Sequence, residues 1–530
     1  MKHIVILGGG FGGVYTAMYL EKMTRRLTDV EITLINSENY FVFQPMLPEV
    51  ISGSIEIQHI INPIRRLCRR TNLHMREVQA VDLENKIITT SPGFHPTLQK
   101  IPYDHLVIAL GSVMNFARMP GLKQHAFQFK NIGDALRLRN HMIHVLEEAD
   151  IEEDEQLRRS ELTFVIAGGG FSGVESAAEL NDFVRGASKN YRHINPADVR
   201  VILLHSGERI LPELSPEVAA FAERLLRKRG VEIRLKTRLA GATGEGAVLS
   251  TGEKIFTKTL VATVPAGPHP LVTELKCEKV NGRIKVDEHL ELTGTPGVWA
   301  LGDCAFILDP RSEGGSPPTA QHAVREAKCV ATNVVQKIVG GEPRKFSFSS
   351  LGMAAALGHR SAVAEILGIK LWGILAWFVW RFIYWSKLPG IDRKIRVGVD
   401  WFLDVLLPQD IVQIKTSESS TLNQEHFGPG EVVFREGDHG DRVYLIISGD
   451  VEVLRERADG ADVLTKLSSG ECFGEMALMH DSLRNATIRA VTEVDVVSVY
   501  RQDFHMLLQR LPGLHEIFDK LIAARVAAPR

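Results

Sequence analysis

The 530-residue sequence lacks the marks of several protein classes. Its five cysteines are scattered and include no Cys-x-x-Cys pair, a pattern typical of reduced thiols rather than of a disulfide framework. The formal net charge is −2, so no global excess of positive charge indicates nucleic acid as a partner. The first apolar run, 4–7, is too short for a signal peptide and predicts a buried strand.

Long apolar runs are also missing. The most apolar stretch, 371–380, ends at Arg381 after ten residues, whereas a membrane-spanning helix needs about 20. Five of the six tryptophans lie between Trp372 and Trp401, accompanied by lysines and arginines. Tryptophans and cations on an apolar helix are typical of an anchor at the membrane surface. The alternatives are a pair of core helices or a dimer interface.

Two glycine-rich fingerprints carry the strongest signal in the sequence. They lie at 8–13 and 168–173, and each follows a short apolar run and precedes a segment rich in alanine and leucine. A strand, a glycine turn and a helix in this order let a pyrophosphate approach the backbone at the helix N-terminus. We therefore expect two dinucleotides. In one enzyme these are usually a flavin and a nicotinamide that exchange a hydride.

The order of these segments predicts an α/β fold in which one of two Rossmann-like dinucleotide-binding domains is inserted in the other. Amphipathic membrane-anchoring helices should follow. Short alternating segments separated by glycines predict a C-terminal β-roll with flanking helices. The predicted boundaries are 1–160 and 281–365 for the first domain, 161–280 for the inserted domain, 366–407 for the anchoring helices, 408–421 for a linker and 422–530 for the β-roll domain.

Residues 1–407 resemble the type II NADH:quinone oxidoreductases, single-chain respiratory dehydrogenases that do not pump protons. Besides the fingerprints, several motifs carry the resemblance. They are 39–47 (Asn-Tyr-Phe-Val-Phe-Gln-Pro-Met-Leu), 109–111 (Ala-Leu-Gly), 173–180 (Gly-Val-Glu-Ser-Ala-Ala-Glu-Leu), 301–303 (Leu-Gly-Asp) and 320–325 (Ala-Gln-His-Ala-Val-Arg).

This resemblance implies FAD at the first fingerprint, NADH at the second and a membrane quinone as the electron acceptor. The implied FAD residues are Gly8, Gly10, Phe11, Gly12, Gly13, Asn36, Pro45, Ala109, Gly111, Gly302 and Asp303. The implied nicotinamide-nucleotide residues are Gly168, Gly170, Gly173, His205 and Glu208. Three residues have implied catalytic roles: Gln321 and Arg325 at the quinone, and Glu175 in nicotinamide binding or proton delivery.

Four positions depart from the family pattern, and one of them, Leu110 in place of a threonine, should have little consequence. Asn36 stands where a carboxylate usually accepts the adenosine ribose hydroxyls, and Arg325 replaces a second glutamine of the quinone motif. His205 stands where NADH-specific sites usually have a carboxylate that repels a 2′-phosphate. Glu208 offers a carboxylate nearby, but His205 and Arg209 together would accept a phosphate. NADPH therefore stays open beside NADH.

Residues 422–520 resemble cyclic nucleotide-binding domains. The resemblance rests on glycine turns and on 470–478 (Gly-Glu-Cys-Phe-Gly-Glu-Met-Ala-Leu), which is similar to the phosphate-binding cassette. It implies that Glu475 binds the ribose hydroxyl and that Arg484 neutralises the cyclic phosphate. The implied site residues are Gly474, Glu475, Arg484 and Asn485. Cyclic AMP is expected in preference to cyclic GMP, and the alternative is a docking domain without a ligand.

We therefore expect a peripheral enzyme at the cytoplasmic face of the cell membrane. Its expected partners are the lipid surface, a quinone, a cyclic nucleotide and a second copy in a homodimer, without metal or nucleic acid. One alternative is a sulfide:quinone reductase, whose paired cysteines this sequence lacks, and another is a redox sensor of low turnover. Because the linker follows the anchoring helices, we expect the C-terminal domain to act on them or on the quinone entrance.

Overall fold

Two parallel sheets form the frame of the dinucleotide-binding half. The computed structural model describes residues 1–91, 98–116, 119–263, 266–308, 315–407, 410–414, 423–457, 460–479, 482–510, 518 and 520. The first sheet has the spatial order Val298–Ala300, His105–Ile108, Lys2–Leu7, Val30–Asn36 and Asn72–Met75. Residues 4–7 are fully buried, as expected for a parallel strand with both faces covered.

The second sheet repeats this arrangement with five parallel strands. Its spatial order is Ala126–Gln128, Thr259–Ala262, Thr163–Ala167, Arg200–Leu204 and Val231–Arg234. The edge strand Ala126–Gln128 comes from sequence that precedes the glycine turn of this sheet by about 40 residues. The first sheet in turn takes Val298–Ala300 from the chain that follows the second sheet. The chain therefore crosses between the two sheets more often than the glycine turns alone indicate.

Helices and small sheets surround the two parallel sheets. The small sheets contain Tyr40–Val42 with Ile61–Pro63; Val78–Asp82, Ile87–Thr90 and Gln99–Pro102; Ser112–Met114 with Ala266–Pro268; Leu239–Thr243, Gly246–Leu249 and Lys254–Phe256; and Lys279–Val280, Arg283–Lys285 and Ala305–Phe306. The helices here are Phe11–Met23, Gln44–Met46, Leu47–Ser52, Ile57–His59, Ile64–Leu67, Leu122–His125, Ile132–Ile151, Glu155–Glu161, Phe171–Ala187, Ser188–Asn190, Pro216–Lys228, Pro270–Glu274, Gly302–Cys304 and Ala320–Val339.

A three-stranded antiparallel sheet leads into two helices, Gly373–Lys387 and Ile391–Leu406, which we call the anchor helices. The strands of that sheet are Gly352–Ala356, Ala362–Ile366 and Ile369–Trp372. Among the described residues, no helix combines the length and the apolarity needed to cross a membrane. The inward-facing tryptophans of the anchor helices are buried: Trp377, Trp380 and Trp401. Their outward-facing apolar side chains are exposed: Ile374, Leu375, Phe378, Phe382, Ile391, Ile395, Val399, Phe402, Leu403 and Leu406.

Two four-stranded antiparallel sheets form the C-terminal domain. Their spatial orders are Asn423–Phe427, Val494–Tyr500, Arg442–Ser448 and Cys472–Phe473, and Val432–Phe434, Thr487–Ala490, Val451–Arg457 and Gly460–Leu467. The helices Glu475–Met479 and Arg501–Arg510 flank the sheets. The predicted fold class, two Rossmann-like units followed by a β-roll, is confirmed.

Candidate functional site

The first glycine turn has the shape that a pyrophosphate requires. Gly8 has a φ of +102°, a conformation that favours glycine. A Cβ on Gly13 would lie 1.8 Å from the Gly8 carbonyl oxygen, so the helix approaches the turn closely only without a side chain there. At Gly10, the N-cap of Phe11–Met23, a Cβ would meet no described atom within 4 Å. An anionic dinucleotide fits this open space at the helix N-terminus.

Asn36 fixes this turn from the end of the neighbouring strand. Its Oδ1 accepts a hydrogen bond from the Gly9 amide at 2.8 Å, and its Nδ2 donates to the carbonyl oxygen of Glu38 at 2.8 Å. A Cβ on Gly9 would lie 2.5 Å from the Asn36 Nδ2. The Asn36 amide therefore orients the glycine turn by accepting one hydrogen bond and donating another. A carboxylate at this position could accept the first but could not donate the second.

The other residues assigned to the flavin nucleotide lie around the same turn. A Cβ on Gly12 would lie 3.3 Å from the Cβ of Ala109, so the helix start and the end of His105–Ile108 are in close contact. Phe11 packs edge-on against Phe41, with ring centroids 4.9 Å apart. Pro45 lies in the short helix Gln44–Met46 that follows this aromatic pair. These residues come together at one site.

Asp303 is held at the same edge of the first sheet by a chain of polar contacts. Gly111, with a φ of +66°, turns the chain into Ser112. The Ser112 Oγ donates to Asp303 Oδ2 at 2.9 Å, and the Lys130 Nζ lies 3.0 Å from that Oγ and also donates to the Ser112 carbonyl oxygen. Burial lowers the pKa of Lys130, and Asp303 opposes that shift. Sequence reasoning missed both Ser112 and Lys130.

Glu326 is a third residue that sequence reasoning missed. Its Oε2 accepts a hydrogen bond from the Gly302 amide at 2.8 Å, which supports the turn that carries Asp303. The side chain is buried, and burial raises the pKa of Glu326 to about 7. The signal that would have found it is its position four residues after buried His322, on the inner face of helix Ala320–Val339.

The second glycine turn repeats the geometry of the first. Gly168 has a φ of +131°, and a Cβ on Gly173 would lie 1.8 Å from the Gly168 carbonyl oxygen. At Gly170, the N-cap of Phe171–Ala187, the nearest described atom to a Cβ would be Glu213 Oε1 at 3.8 Å. This turn also leaves room for a dinucleotide phosphate at a helix N-terminus.

His205 occupies at this turn the place that Asn36 has at the first. Its Nδ1 accepts a hydrogen bond from the Gly169 amide at 3.2 Å. The ring proton is therefore on Nε2, which lies 2.7 Å from the position that a Cβ on Gly207 would take. Glu208 is highly exposed and forms an ion pair with Lys236 at 3.0 Å. The edge of this turn thus presents both an acidic and a basic side chain.

Glu175 is buried on helix Phe171–Ala187 of the second unit, against the strand Gly352–Ala356. Its Oε1 accepts a hydrogen bond from the Ala356 amide at 2.9 Å, and burial raises the pKa of Glu175 to about 8. Burial raises the pKa of Tyr384 as well, with a further contribution from Glu175. Tyr384 packs against Trp380 of the same anchor helix, and against Phe43 of the 39–47 motif at 6.2 Å. The anchor helix thus joins Glu175 to the flavin segment.

A buried ion-pair cluster lies beneath the two anchor helices. Arg381 lies 3.5 Å from Glu49 and 3.7 Å from Asp404, between the rings of Trp377 and Trp401. Trp401 Nε1 donates to Glu49 at 3.1 Å. Burial outweighs Arg381 and raises the pKa of Glu49 to about 7. Composition placed Arg381 among the cations at a membrane surface. This was wrong, because its guanidinium is buried against aromatic rings and carboxylates.

The two residues assigned to the quinone lie on the first turns of helix Ala320–Val339. Gln321 Nε2 donates to Ser350 Oγ at 2.8 Å and to the Gly352 carbonyl oxygen at 3.2 Å. These bonds hold the amide against the strand Gly352–Ala356, whose far end carries the Glu175 contact. Arg325 lies over the ring of Phe348 at 4.7 Å. Where the quinone motif has a second glutamine, this chain therefore has a cation stacked on an aromatic ring.

The implied cyclic-nucleotide residues come together in the C-terminal domain. Arg484 is buried; its Nη1 donates to the Gly474 carbonyl oxygen at 2.6 Å and its Nη2 to that of Arg442 at 2.7 Å. Glu475 begins the helix Glu475–Met479 and is also buried. Asn485 Nδ2 donates to a methionine sulfur at 3.5 Å. Residues 480 and 481 of the cassette lie outside the described residues.

Comparison with known proteins matches three parts of the chain to family descriptions. Residues 2–327 match pyridine nucleotide-disulphide oxidoreductases, residues 351–410 the NDH2 C-terminal domain and residues 424–511 the cyclic nucleotide-binding domain. Two glycine turns with these matches define a flavoprotein oxidoreductase that uses a pyridine nucleotide.

Curated relatives narrow this class. The type II NADH:quinone oxidoreductase NdhA of Mycobacterium tuberculosis is 30% identical over 419 residues, which cover 75% of this chain and 86% of that protein. The probable NADH dehydrogenase of Dictyostelium discoideum is 29% identical over 420 residues, covering 77% and 91%. The chain belongs to the type II NADH:quinone oxidoreductase family. It is an enzyme that uses NADH, a flavin and a quinone, as the sequence motifs predicted.

Solved structures show the same fold. NDH2 of Plasmodium falciparum in complex with NADH is 21% identical, with a TM-score of 0.70, over 78% of this chain and 99% of that chain. The sulfide:quinone oxidoreductase of Aquifex aeolicus also shares the fold, with 18% identity and a TM-score of 0.60 over 77% of this chain and 96% of that chain. Because the NADH-binding and the sulfide-oxidising protein share this fold, the fold alone does not decide between their two activities.

A reactive thiol near the flavin site would favour the sulfide chemistry. Cys304, next to Asp303, is a buried free thiol, and burial raises its pKa to about 12.

Proposed function

We propose that the flavin is FAD, bound at the first glycine turn, and that NADH binds at the second in preference to NADPH. Bound FAD would accept a hydride from NADH and pass two electrons to a quinone. Asp303, Gly10 and Asn36 would hold the FAD, and His205 and Glu208 would contact the adenosine ribose of NADH. The observation that carries this proposal is the duplicated turn, with open space at both Gly10 and Gly170.

We infer that Glu175 supplies a proton for the two-electron reduction of the quinone. A carboxyl group with a pKa of about 8 is largely protonated at neutral pH and is a suitable acid. Its Ala356 contact lies on the strand whose other end binds Gln321, so one strand positions both residues. Gln321 would donate to a quinone oxygen in exchange for its bond to Ser350 Oγ, and Arg325 would line the entrance.

We propose that the outer face of the anchor helices binds a lipid surface, at the cytoplasmic face of the cell membrane. This face is apolar and exposed, and between the two helices it contains a groove of about 550 Å³ lined by Phe378, Phe382 and Phe402 among others. Lys394, at the same groove, donates to the Ser386 carbonyl oxygen and lies near the lipid headgroups in this arrangement. A homodimer is compatible with this placement.

We further propose that the C-terminal domain binds a cyclic nucleotide, cyclic AMP in preference to cyclic GMP, and regulates the enzyme. Arg484 is buried beside Gly474 and faces the ring of Phe434 at 4.1 Å. Two backbone carbonyls accept its hydrogen bonds, and the Asp441 carboxylate lies 3.5 Å away. A cyclic phosphate is a stronger acceptor than the carbonyls and would replace them.

One assay tests this function. Purified protein in detergent is supplied with a soluble quinone and with NADH or NADPH, each with and without cyclic AMP. The proposal predicts sustained NADH-dependent quinone reduction, slower NADPH oxidation and a change on adding cyclic AMP. A protein that binds both nucleotides but does not reduce the quinone would instead be a redox sensor, and the proposal would be wrong.

A further inference from the structure

The C-terminal domain contacts the nicotinamide-binding unit through residues 119–130, which we call the docking segment. His125 Nε2 lies 2.6 Å from the carbonyl oxygen of His426 and 3.1 Å from its amide nitrogen. Gln124 donates to Asp495 Oδ1 at 3.2 Å, and the His426 Nδ1 lies 2.8 Å from the same oxygen. Both partners belong to adjacent strands of the C-terminal domain, so one polar network joins the two units.

The docking segment fits closely between the two units. Gly121 has a φ of +69°, and a Cβ there would lie 1.9 Å from the Ala242 carbonyl oxygen and 2.9 Å from the His426 ring. The Ala242 amide donates to the Pro120 carbonyl oxygen at 2.9 Å. The docking segment thus contacts the nicotinamide-binding unit on one side and the C-terminal domain on the other. A displacement of either moves the segment.

The docking segment continues directly into the second sheet. Its strand Ala126–Gln128 pairs with Thr259–Ala262, and the next residue, Thr263, lies beneath the second glycine turn. Thr263 Oγ1 is 2.2 Å from the position of a Cβ on Gly168 and 2.8 Å from that on Gly173. One hydrogen-bonded strand therefore separates the docking segment from the expected NADH pyrophosphate site.

The same segment ends at the flavin site. Its last residue, Lys130, contacts Ser112, and Ser112 donates to Asp303. The Lys130 carbonyl oxygen accepts a hydrogen bond from Gln44 Nε2 at 3.3 Å, within the 39–47 motif. Only four residues thus separate His125, at the domain interface, from a lysine that positions the flavin-binding carboxylate.

We propose that the C-terminal domain acts on the two dinucleotide sites through the docking segment, and alters the affinity for NADH rather than membrane attachment. The regulatory role rests on the proposed binding of a cyclic nucleotide. The described part of the linker, 410–414, lies along helix Ile132–Ile151, where Asn140 Nδ2 donates to the Ile414 carbonyl oxygen at 2.7 Å. Coupling between two sites is reciprocal. NADH should therefore change the affinity for the cyclic nucleotide, and we expect this change to begin in the C-terminal domain before the nucleotide binds.

Hydrogen–deuterium exchange on the full-length flavoprotein, with and without NADH under anaerobic conditions, tests the coupling directly. We expect NADH to change the exchange rate of the 423–431 peptide by about twofold or more. His125→Ala and, as a milder change, Gln124→Ala should abolish this response, while Asn140→Ala, which cuts the linker contact, should keep it. No response in the unaltered protein, or the same response in His125→Ala, overturns the proposal.

Kinetics separates this coupling from the nucleotide-binding proposal. Cyclic AMP should change the KM for NADH roughly fivefold or more, and this effect should vanish in His125→Ala while labelled cyclic AMP still binds. A change confined to the KM for quinone, or one that persists in His125→Ala, contradicts the docking-segment route. If no cyclic nucleotide binds, the ligand proposal is wrong, and the exchange experiment still decides whether the two units are coupled.

Discussion

His205 accepts, through Nδ1, a hydrogen bond from the amide of Gly169 at 3.2 Å. Asn36 makes the same contact with the first glycine turn, so each turn is fixed by a neutral side chain from the end of the next strand. Each side chain therefore positions a loop, and neither brings the negative charge that dinucleotide sites of this kind usually have there.

This arrangement predicts how the nucleotide preference responds to a charge at His205. In His205→Glu, a carboxylate would repel a 2′-phosphate and accept a 2′-hydroxyl, so kcat/KM for NADPH should fall about tenfold or more relative to that for NADH. His205→Asn, which copies the first turn, should change the two values alike. The prediction is wrong if His205→Glu lowers both in proportion.

Replacing Glu175 should affect quinone reduction selectively. In Glu175→Gln the proton donor is lost, and turnover should fall about 100-fold or more, since general acids contribute that much. The reduction of the flavin by NADH, followed by loss of flavin absorbance in a stopped-flow instrument, should stay close to that of the unaltered protein. Collapse of that first step would assign Glu175 to nicotinamide binding instead.

The raised pKa values predict the pH dependence of turnover and of stability. The acid form of Glu175 is lost above about pH 8, so turnover should decline there, and Glu175→Gln should lack this decline.

Glu49 has a pKa of about 7 in the folded protein against about 4.5 in the unfolded chain. Its contribution to stability is complete below pH 4.5 and is lost as the pH rises through 7. The melting temperature should therefore fall less from pH 6 to pH 8.5 in Glu49→Gln.

The buried cation beneath the anchor helices should be important for stability. Arg381→Ala would leave Glu49 without its partner in an apolar environment, and loss of one member of a buried pair costs about 3–5 kcal/mol. Arg396→Ala, an exposed cation on the second anchor helix, should cost little. Thermal unfolding of the two variants measures the difference. Equal melting temperatures would show that the Arg381 cluster contributes no net stability.

The outer face of the anchor helices should determine attachment to lipid. Phe378→Ser and Phe382→Ser each remove an exposed aromatic ring, and each should weaken binding to liposomes about tenfold, since burial of such a ring contributes roughly 1.5–3 kcal/mol. Phe256→Ser, also an exposed ring but on a hairpin of the second unit, is the control and should bind like the unaltered protein. Uniform losses in all three variants would contradict a specific membrane face.

Local rules explain what the sequence predicted well. Gly8, Gly13, Gly168 and Gly173 were predictable because a tight turn between a strand and a helix excludes side chains at fixed spacings. Lys130 and Ser112 were not predictable in this way. The Ser112 contact with Asp303 joins residues 191 positions apart, and no local pattern records it.

The anchor segment shows the same limit at the level of single residues. Composition indicated tryptophans and cations at a surface, but it does not say which face each residue occupies. Arg381 and Trp401 pack inward against Glu49, and Trp377 packs on Arg381. Phe378 and Phe382 are exposed on the outer face. Likewise, the proposed coupling between the C-terminal domain and the dinucleotide sites depends on His125, which lies in a helix without a distinctive sequence motif.

The most direct test is the rate at which the purified flavoprotein reduces a soluble quinone with NADH under anaerobic conditions. The account predicts steady quinone reduction with one quinone reduced for each NADH oxidised, without added thiol or sulfide, and a large loss in Glu175→Gln. If NADH is oxidised only when a sulfur substrate is supplied, or if the quinone is not reduced, the assignment of the electron path is contradicted.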